Sequence, residues 1–249
     1  MSLKKSRKFS SYSDQKNKRY RKRWIVLGIL AFFVLYISFT TMVFSIRVLE
    51  SSTMMPNLRT GERFIFSSYA IYSIIPGLDL ETGTLPFRRG DVVLVDAYRG
   101  EGPGLFHRVL YGTARFFTAQ RVGLTDPSGR RPSDYQFVRR VIGLPGDEIS
   151  MVNYIVRVRV RGSTFDLTEF EVTERDYTTN IPQLPVLWDS SLPFSGNMDA
   201  IILGENEVFL LSDDRTSTND SRTWGPIPVS NIQGRAIFRY WPLTRLGRP

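Results

Sequence analysis

Phe137-Val138-Arg139-Arg140-Val141-Ile142-Gly143-Leu144-Pro145-Gly146-Asp147 is a run of β-branched, aromatic and apolar residues that stops at a Pro-Gly-Asp turn signal. Runs of the same kind recur at Arg63 to Ser67, Asp91 to Val95, Tyr154 to Val160, Glu207 to Leu211 and Gly234 to Tyr240. Turn-rich stretches such as Pro76-Gly77 and Asp213-Asp214 separate them. After Arg47 the chain therefore reads as a mainly β, antiparallel domain with no internal repeat and no low-complexity linker. One stretch departs from this. Phe106 to Val122 sets Val109, Leu110, Ala114, Phe116, Phe117 and Val122 among Arg108, Arg115 and Arg121, as an amphipathic helix would. Such an inserted helix fits a bilayer headgroup region and the side of a β core equally well.

Working toward the N-terminus, Trp24 to Ile46 holds no charged residue over 23 positions, and Arg23 and Arg47 close its ends. At 1.5 Å per helical residue that run crosses a hydrocarbon core of about 30 Å. It exceeds the ~7 to 15 apolar residues of a cleaved secretory signal, and no small-x-small site follows Ile46. The expectation is one transmembrane helix, with Trp24 as an interfacial anchor.

Residues 1–23 hold ten Lys/Arg against the single acid Asp14, which leaves 23 basic and 23 acidic residues in the remainder. A net charge of +9 concentrated this way points to a basic tail beside a membrane and argues against nucleic-acid binding. The positive-inside rule then keeps residues 1–23 in the cytoplasm, runs 24–46 through the membrane and exports 47–249 to the outer face. The 249 residues, 42% apolar, suffice for a sizeable core, and the absence of Cys together with a lone His107 speaks against a thiolate or zinc site. No cofactor or metal is expected. Asp213, Asp214, Asn219 and Asp220 lack the central Gly and distal Glu of a calcium loop and read as an ion-paired loop. Met54 and Met55 read as packing or lipid contact, and Trp224 and Trp241 as core aromatics.

Four segments carry a more specific signal: Ser51-Ser52-Thr53-Met54-Met55-Pro56-Asn57-Leu58; Arg89-Gly90-Asp91-Val92-Val93; Arg139 to Asp147; and Ser212-Asp213-Asp214-Arg215 running on to Asp220-Ser221-Arg222-Thr223-Trp224-Gly225-Pro226. In this order, behind a basic tail and an apolar helix, they resemble the boxes of the type I signal peptidase family. The resemblance spans most of residues 47–240 but not 99–136, an apparent insertion. It implies a β fold at the outer membrane surface that cuts signal peptides from exported preproteins after small-x-small sequences. The chemistry implied is a Ser-Lys dyad: a neutral lysine takes the serine proton, and backbone N–H with a neighbouring hydroxyl holds the oxyanion.

Carried over by position, the nucleophile's place is Thr53 and the general base's place is Arg139. Ser51 falls at the oxyanion hydroxyl, and Thr218 stands where a Ser orients the lysine. Arg140, Asp213, Asp220, Ser221 and Arg222 match the supporting charges, whereas Ser212 and Thr216 replace an expected Gly and Asp. A guanidinium of pKa above 12 is no base at neutral pH, and its deprotonation costs on the order of 7 kcal/mol, about five decades in rate. All six lysines lie at or before Lys22, so none can substitute. His107 could serve only if the insertion folds back. Ser52, if the segment is extended, points away from the face of Ser51 and Thr53.

Three expectations follow. One is a homologue with little or no catalysis that binds signal peptides, with the lipid bilayer and an active paralogue or the secretion machinery as partners. Another is an active peptidase using Thr53 or Ser52 with an unusual base. The third is an anchored envelope domain without a peptide site.

Overall fold

A computed structural model describes residues 12–68, 85–96, 136–182 and 196–249, with side chains in the N-terminal helix for 19–36 only. Among the described residues that helix, α1 (Tyr12–Val43), leads into eleven strands. They are β1 (Phe44–Val48), β2 (Arg63–Ser68), β3 (Val92–Asp96), β4 (Gln136–Gly143), β5 (Glu148–Val152) and β6 (Ile155–Arg159), then β7 (Asp166–Thr168), β8 (Met198–Ile202), β9 (Glu207–Leu211), β10 (Ile227–Pro228) and β11 (Ile232–Trp241). A single helical turn, α2 (Ser221–Trp224), follows β9.

Seven strands form one sheet in the order β1-β2-β11-β3-β4-β9-β10, and four form another in the order β7-β6-β5-β8. Every pairing is antiparallel. The mainly β, antiparallel expectation holds, and all six runs read from the sequence are strands within a few residues. β3 shows why. Its side chains alternate, Val92 and Leu94 joining a core with Met54, Leu58, Phe64 and Phe66, while Val93 and Val95 join another with Phe87, Val141, Leu210 and Ile232. Both faces are covered, so the strand is apolar throughout. Gly143 lets the chain pass between the sheets, since a Cβ there would lie 2.7 and 2.8 Å from Leu203 and Ile149. Those two belong to the core of the smaller sheet. The turn Leu144 to Asp147 follows, with Asp147 accepting from Leu144 N at 2.8 Å.

Two expectations are corrected. The helix ends at Val43 rather than Ile46, because Phe44-Ser45-Ile46-Arg47-Val48 alternates with period two and pairs in register with Ser67 to Arg63. Residues 44–48 are thus part of the larger sheet. Trp241 is no core aromatic but 49% exposed at the end of β11, while Trp224 packs on Phe137 with ring centroids 5.2 Å apart. Among the described residues no helix is long and apolar enough to cross a membrane. Those side chains of α1 begin with Arg19, Arg21, Lys22 and Arg23 and continue with exposed apolar residues from Trp24 to Tyr36. His107, the helix expected at Phe106 to Val122 and nearly all of the insertion lie outside the described residues.

Candidate active site

The segment after β1 is a turn rather than extended chain. Met55 N donates to Ser52 O and Leu58 N to Met54 O, both at 2.9 Å. Met54 and Leu58 are buried beneath it while Met55 faces outward, so the paired methionines divide between core and surface. Asp214 N donates to Thr53 O at 3.0 Å, which ties this turn to the loop after β9. Ser52 is exposed, and its carbonyl is spent on closing the turn.

Thr53 Oγ1 faces Arg139, the fourth residue of β4. Nη1 of Arg139 donates to that hydroxyl at 3.0 Å, and Ser51 Oγ donates to it at 3.2 Å. Ser51 Oγ in turn accepts from Thr53 N at 3.2 Å. The remaining Arg139 bonds go to carbonyls: Nη1 to Val138 O at 2.6 Å, and Nε and Nη2 to Asn219 O at 2.8 and 2.6 Å. Its guanidinium lies beside both the Phe137 and the Trp224 ring, 5.3 and 5.4 Å from their centroids. Arg139 is 1% exposed. Burial pulls its pKa down to about 10, with Asp220 pulling the other way and Arg222 lowering it further. Deprotonation at pH 7 then costs about 4 kcal/mol, less than the sequence alone implied, and Arg139 remains cationic.

Its neighbour Arg140 points to the other face of β4, as period two requires. Nε and Nη2 grip both Asp213 oxygens at 2.7 and 2.6 Å, Nη1 donates to Gly90 O at 2.7 Å, and Tyr177 stacks 4.1 Å away. Asp220 caps α2 and accepts from Ser212 N at 3.0 Å, Arg222 N at 3.1 Å, and Arg222 Nε and Nη2 at 2.9 and 2.8 Å. Burial would raise its pKa, but the Arg222 bonds and charge outweigh that and hold it below the ordinary carboxylate value. Ser221 Oγ accepts from Leu210 N at 3.0 Å, fixing α2 to β9.

A model of the family described as signal peptidase, peptidase S26, matches residues 21–241. The chain belongs to the signal peptidase family. Signal peptidase I of Bacillus caldolyticus is 28% identical over 233 residues, covering 92% of this chain and 95% of that one. Signal peptidase I of Leptolyngbya laminosa is 25% identical over 217 residues, covering 86% and 77%. The probable signal peptidase I-1 of Synechocystis sp. is 30% identical over 112 residues, so the matched stretch spans just under half of either chain (45% and 46%). A solved signal peptidase I from Enterococcus faecalis V583 aligns at 16% identity and TM-score 0.30, over 61% of this chain and 97% of that one.

Within this signal peptidase fold, the residues picked from the boxes fall into two groups. Ser51, Thr53 and Arg139 meet around one hydroxyl, and Arg140, Asp213, Asp220, Ser221 and Arg222 form the bonded frame behind it. Thr218 offers its main-chain oxygen to Asp220 N at 2.9 Å, and it is the carbonyl of the next residue, Asn219, that holds Arg139. Thr216 hydrogen-bonds Asp214 at 2.6 Å instead of supplying a charge.

Three contributors were not read from the sequence. Asn57 donates to Asp213 Oδ2 at 2.8 Å and to Thr178 O at 2.6 Å; it lies inside the first box, and its amide was the available signal. Glu169 bonds the Tyr177 hydroxyl at 2.7 Å and pairs with Arg215, all three buried. Burial, joined by the Glu169 charge, raises the Tyr177 pKa and keeps its phenol protonated. No motif marks Glu169.

Proposed function

We propose that this signal peptidase homologue engages signal peptides of exported preproteins at the outer face of the cytoplasmic membrane, with little or no cleavage of its own. The observation that carries the proposal is the 3.0 Å hydrogen bond donated by Arg139 to Thr53. By the family resemblance these stand at the base and nucleophile positions. A general base must accept the nucleophile's proton, but here the group at that distance is a donor. With a pKa near 10, only about one guanidine in a thousand is neutral at pH 7. The methyl of Thr53 adds crowding to the attack. Ser51 keeps the oxyanion position and Thr218 the position that orients the base. Arg140, Asp213, Asp220, Ser221 and Arg222 keep the support, so the scaffold persists around altered chemistry.

Two features support the membrane placement. The apolar side chains of α1 from Trp24 to Tyr36 are exposed all round, which water does not favour and lipid does. At the adjoining sheet end, Ile46, Ile65 and Phe238 are cross-strand neighbours, as are Val48 and Trp241 across Arg63. Ile46, Val48, Phe238 and Trp241 are all exposed. A patch of this kind beside an apolar helix fits a bilayer surface. The basic tail before it assigns residues 1–23 to the cytoplasm. An active paralogue or the secretion machinery is the protein partner this role calls for.

The alternative, an active peptidase working through Thr53 or Ser52, draws on the same burial that lowers Arg139 and on the named activity of the relatives. One experiment separates the two. Purified full-length protein in detergent is given a preprotein with an Ala-x-Ala site, and mature product is followed by gel. The proposal expects none; product that disappears in Thr53→Ala overturns it.

A further inference from the structure

Thr53 Oγ1 accepts a hydrogen bond from Arg139 Nη1 and shares another, 3.2 Å long, with Ser51 Oγ. Each of the two hydroxyls carries one proton and the bond between them uses only one, so the pair leaves one proton unspent. Among the described residues no acceptor takes that proton. Thr53 is half-buried and Ser51 exposed, so an external group can reach it. A hydroxyl that accepts from a guanidinium is a poor nucleophile, and the pair that holds the spare proton is a good donor.

The charge behind it also has no carboxylate bonded to it. Among the described residues Arg139 makes no ion pair: its bonds end on the Val138 and Asn219 carbonyls and on Thr53. The two nearby carboxylates are taken, Asp213 by Arg140 and Asp220 by Arg222. A buried unpaired cation with a polarised hydroxyl in front of it favours an anionic oxygen over a neutral one. A continuous peptide offers only a neutral carbonyl at a small-x-small site. A cleaved one offers a carboxylate at the same place.

Resting on the peptide-binding reading above, we infer that this site is a receptor for a peptide C-terminal carboxylate, and that its ligand is the released signal peptide rather than the uncleaved preprotein. The Arg at the base position thus exchanges bond cleavage for recognition of the product's new terminus. Trp224, packed against Arg139, reports occupancy.

Full-length protein in detergent is titrated with synthetic peptides while tryptophan fluorescence and heat are recorded. One peptide ends in Ala-x-Ala with a free carboxylate, a second is its C-terminal carboxamide twin, and a third carries a free carboxylate after two bulky residues. The first is expected to bind about tenfold or more tighter than the second, as a charge-assisted hydrogen bond requires. Thr53→Val and the milder Ser51→Ala, each checked for folding by thermal unfolding, are expected to bring the first peptide toward the affinity of the second. Equal binding of the first two peptides, or a carboxylate preference that survives both variants, overturns the inference while leaving the peptide-binding reading in place. Equal binding of the first and third overturns the signal peptide as the source of the carboxylate. If none of the three binds, both the inference and the reading beneath it fall.

Discussion

Arg140 and Asp213 meet through two parallel hydrogen bonds of 2.7 and 2.6 Å inside the protein, with Asn57 donating to the same carboxylate at 2.8 Å. Arg139, one residue earlier and equally buried, has no carboxylate partner among the described residues. Two adjacent arginines on opposite faces of one strand therefore carry opposite energetics. Burial disfavours the Arg140 charge, but Asp213 outweighs it and raises the pKa, whereas for Arg139 burial wins.

From this, Arg140→Met is expected to cost about 3 to 5 kcal/mol, because it strands the Asp213 charge in the interior. Arg139→Met is expected to be within about 1 kcal/mol of the parent or more stable, since an unpaired buried cation is exchanged for a packed apolar chain. The sign follows from linkage. The folded pKa of Arg139 lies below the unfolded one, so its charge subtracts stability throughout the range below about 10, and the deficit is relieved only as pH rises above about 10 toward the ordinary guanidinium value. Thermal unfolding of the two variants in detergent checks the contrast; equal losses would contradict it.

Restoring the chemistry needs two changes. Thr53→Ser removes the methyl but leaves a donor where a base is required, and Arg139→Lys supplies an amine to a crowded threonine. The double variant is expected to process an Ala-x-Ala preprotein, with neither single variant comparable. A lysine lowered by burial to near 8 is neutral about a tenth of the time at pH 7, against about a thousandth for a guanidine of pKa 10. That is a gain of about two decades, and the rate should climb with pH until the lysine is fully neutral. A flat pH profile would place the base elsewhere.

Much of this arrangement was legible in the residues. The strand runs carry a two-residue period strong enough to survive their charges, as in β4, where Arg139 and Arg140 sit among apolar neighbours. The boxes named eight of the residues that bond around Thr53 or behind it. What escaped notice was nonlocal or main-chain. Phe44 to Val48 continues an apolar helix without a breaker, and only pairing with β2 makes it a strand. The grip on Arg139 comes from the carbonyl of Asn219, which no side-chain pattern encodes. Glu169 sits 46 residues from Arg215, so their buried pair has no spacing signature. The lowering of Arg139 toward 10 likewise depends on burial, which the residue's identity does not specify.

Gly90 links the second box to the frame. Its φ is +84°, and a Cβ there would lie 2.2 Å from Thr173 Cγ2. Its carbonyl also accepts from Arg140 at 2.7 Å. Gly90→Ala adds left-handed strain and an overlap at once, and is expected to cost about 2 to 4 kcal/mol. Pairing it with Thr173→Ala removes the overlap but not the strain, so about half of the loss should return. Chemical denaturation of the three variants measures this, and no recovery would assign the whole cost to backbone conformation.

Asp220 couples acid to the site. Its folded pKa lies below the ordinary 3.8 because the Arg222 bonds and charge outweigh the cost of burial. A depressed carboxylate contributes stability that is present above its unfolded pKa and is lost as pH falls through the folded one. Asp220→Asn removes that contribution together with the charged cap of α2, and is expected to cost about 2 to 3 kcal/mol at neutral pH. The gap between variant and parent should then narrow as pH drops below 3.8, because the parent loses the same charge by protonation. Since Asp220 adjoins the Asn219 carbonyl that holds Arg139, its loss should also loosen the guanidinium against Trp224 and shift the tryptophan emission before the strands unfold. Parallel melts and emission spectra at pH 7 and pH 3 give both readings. A gap that stays constant over that interval would mean that Asp220 acts through its hydrogen-bonding shape alone and not through its charge.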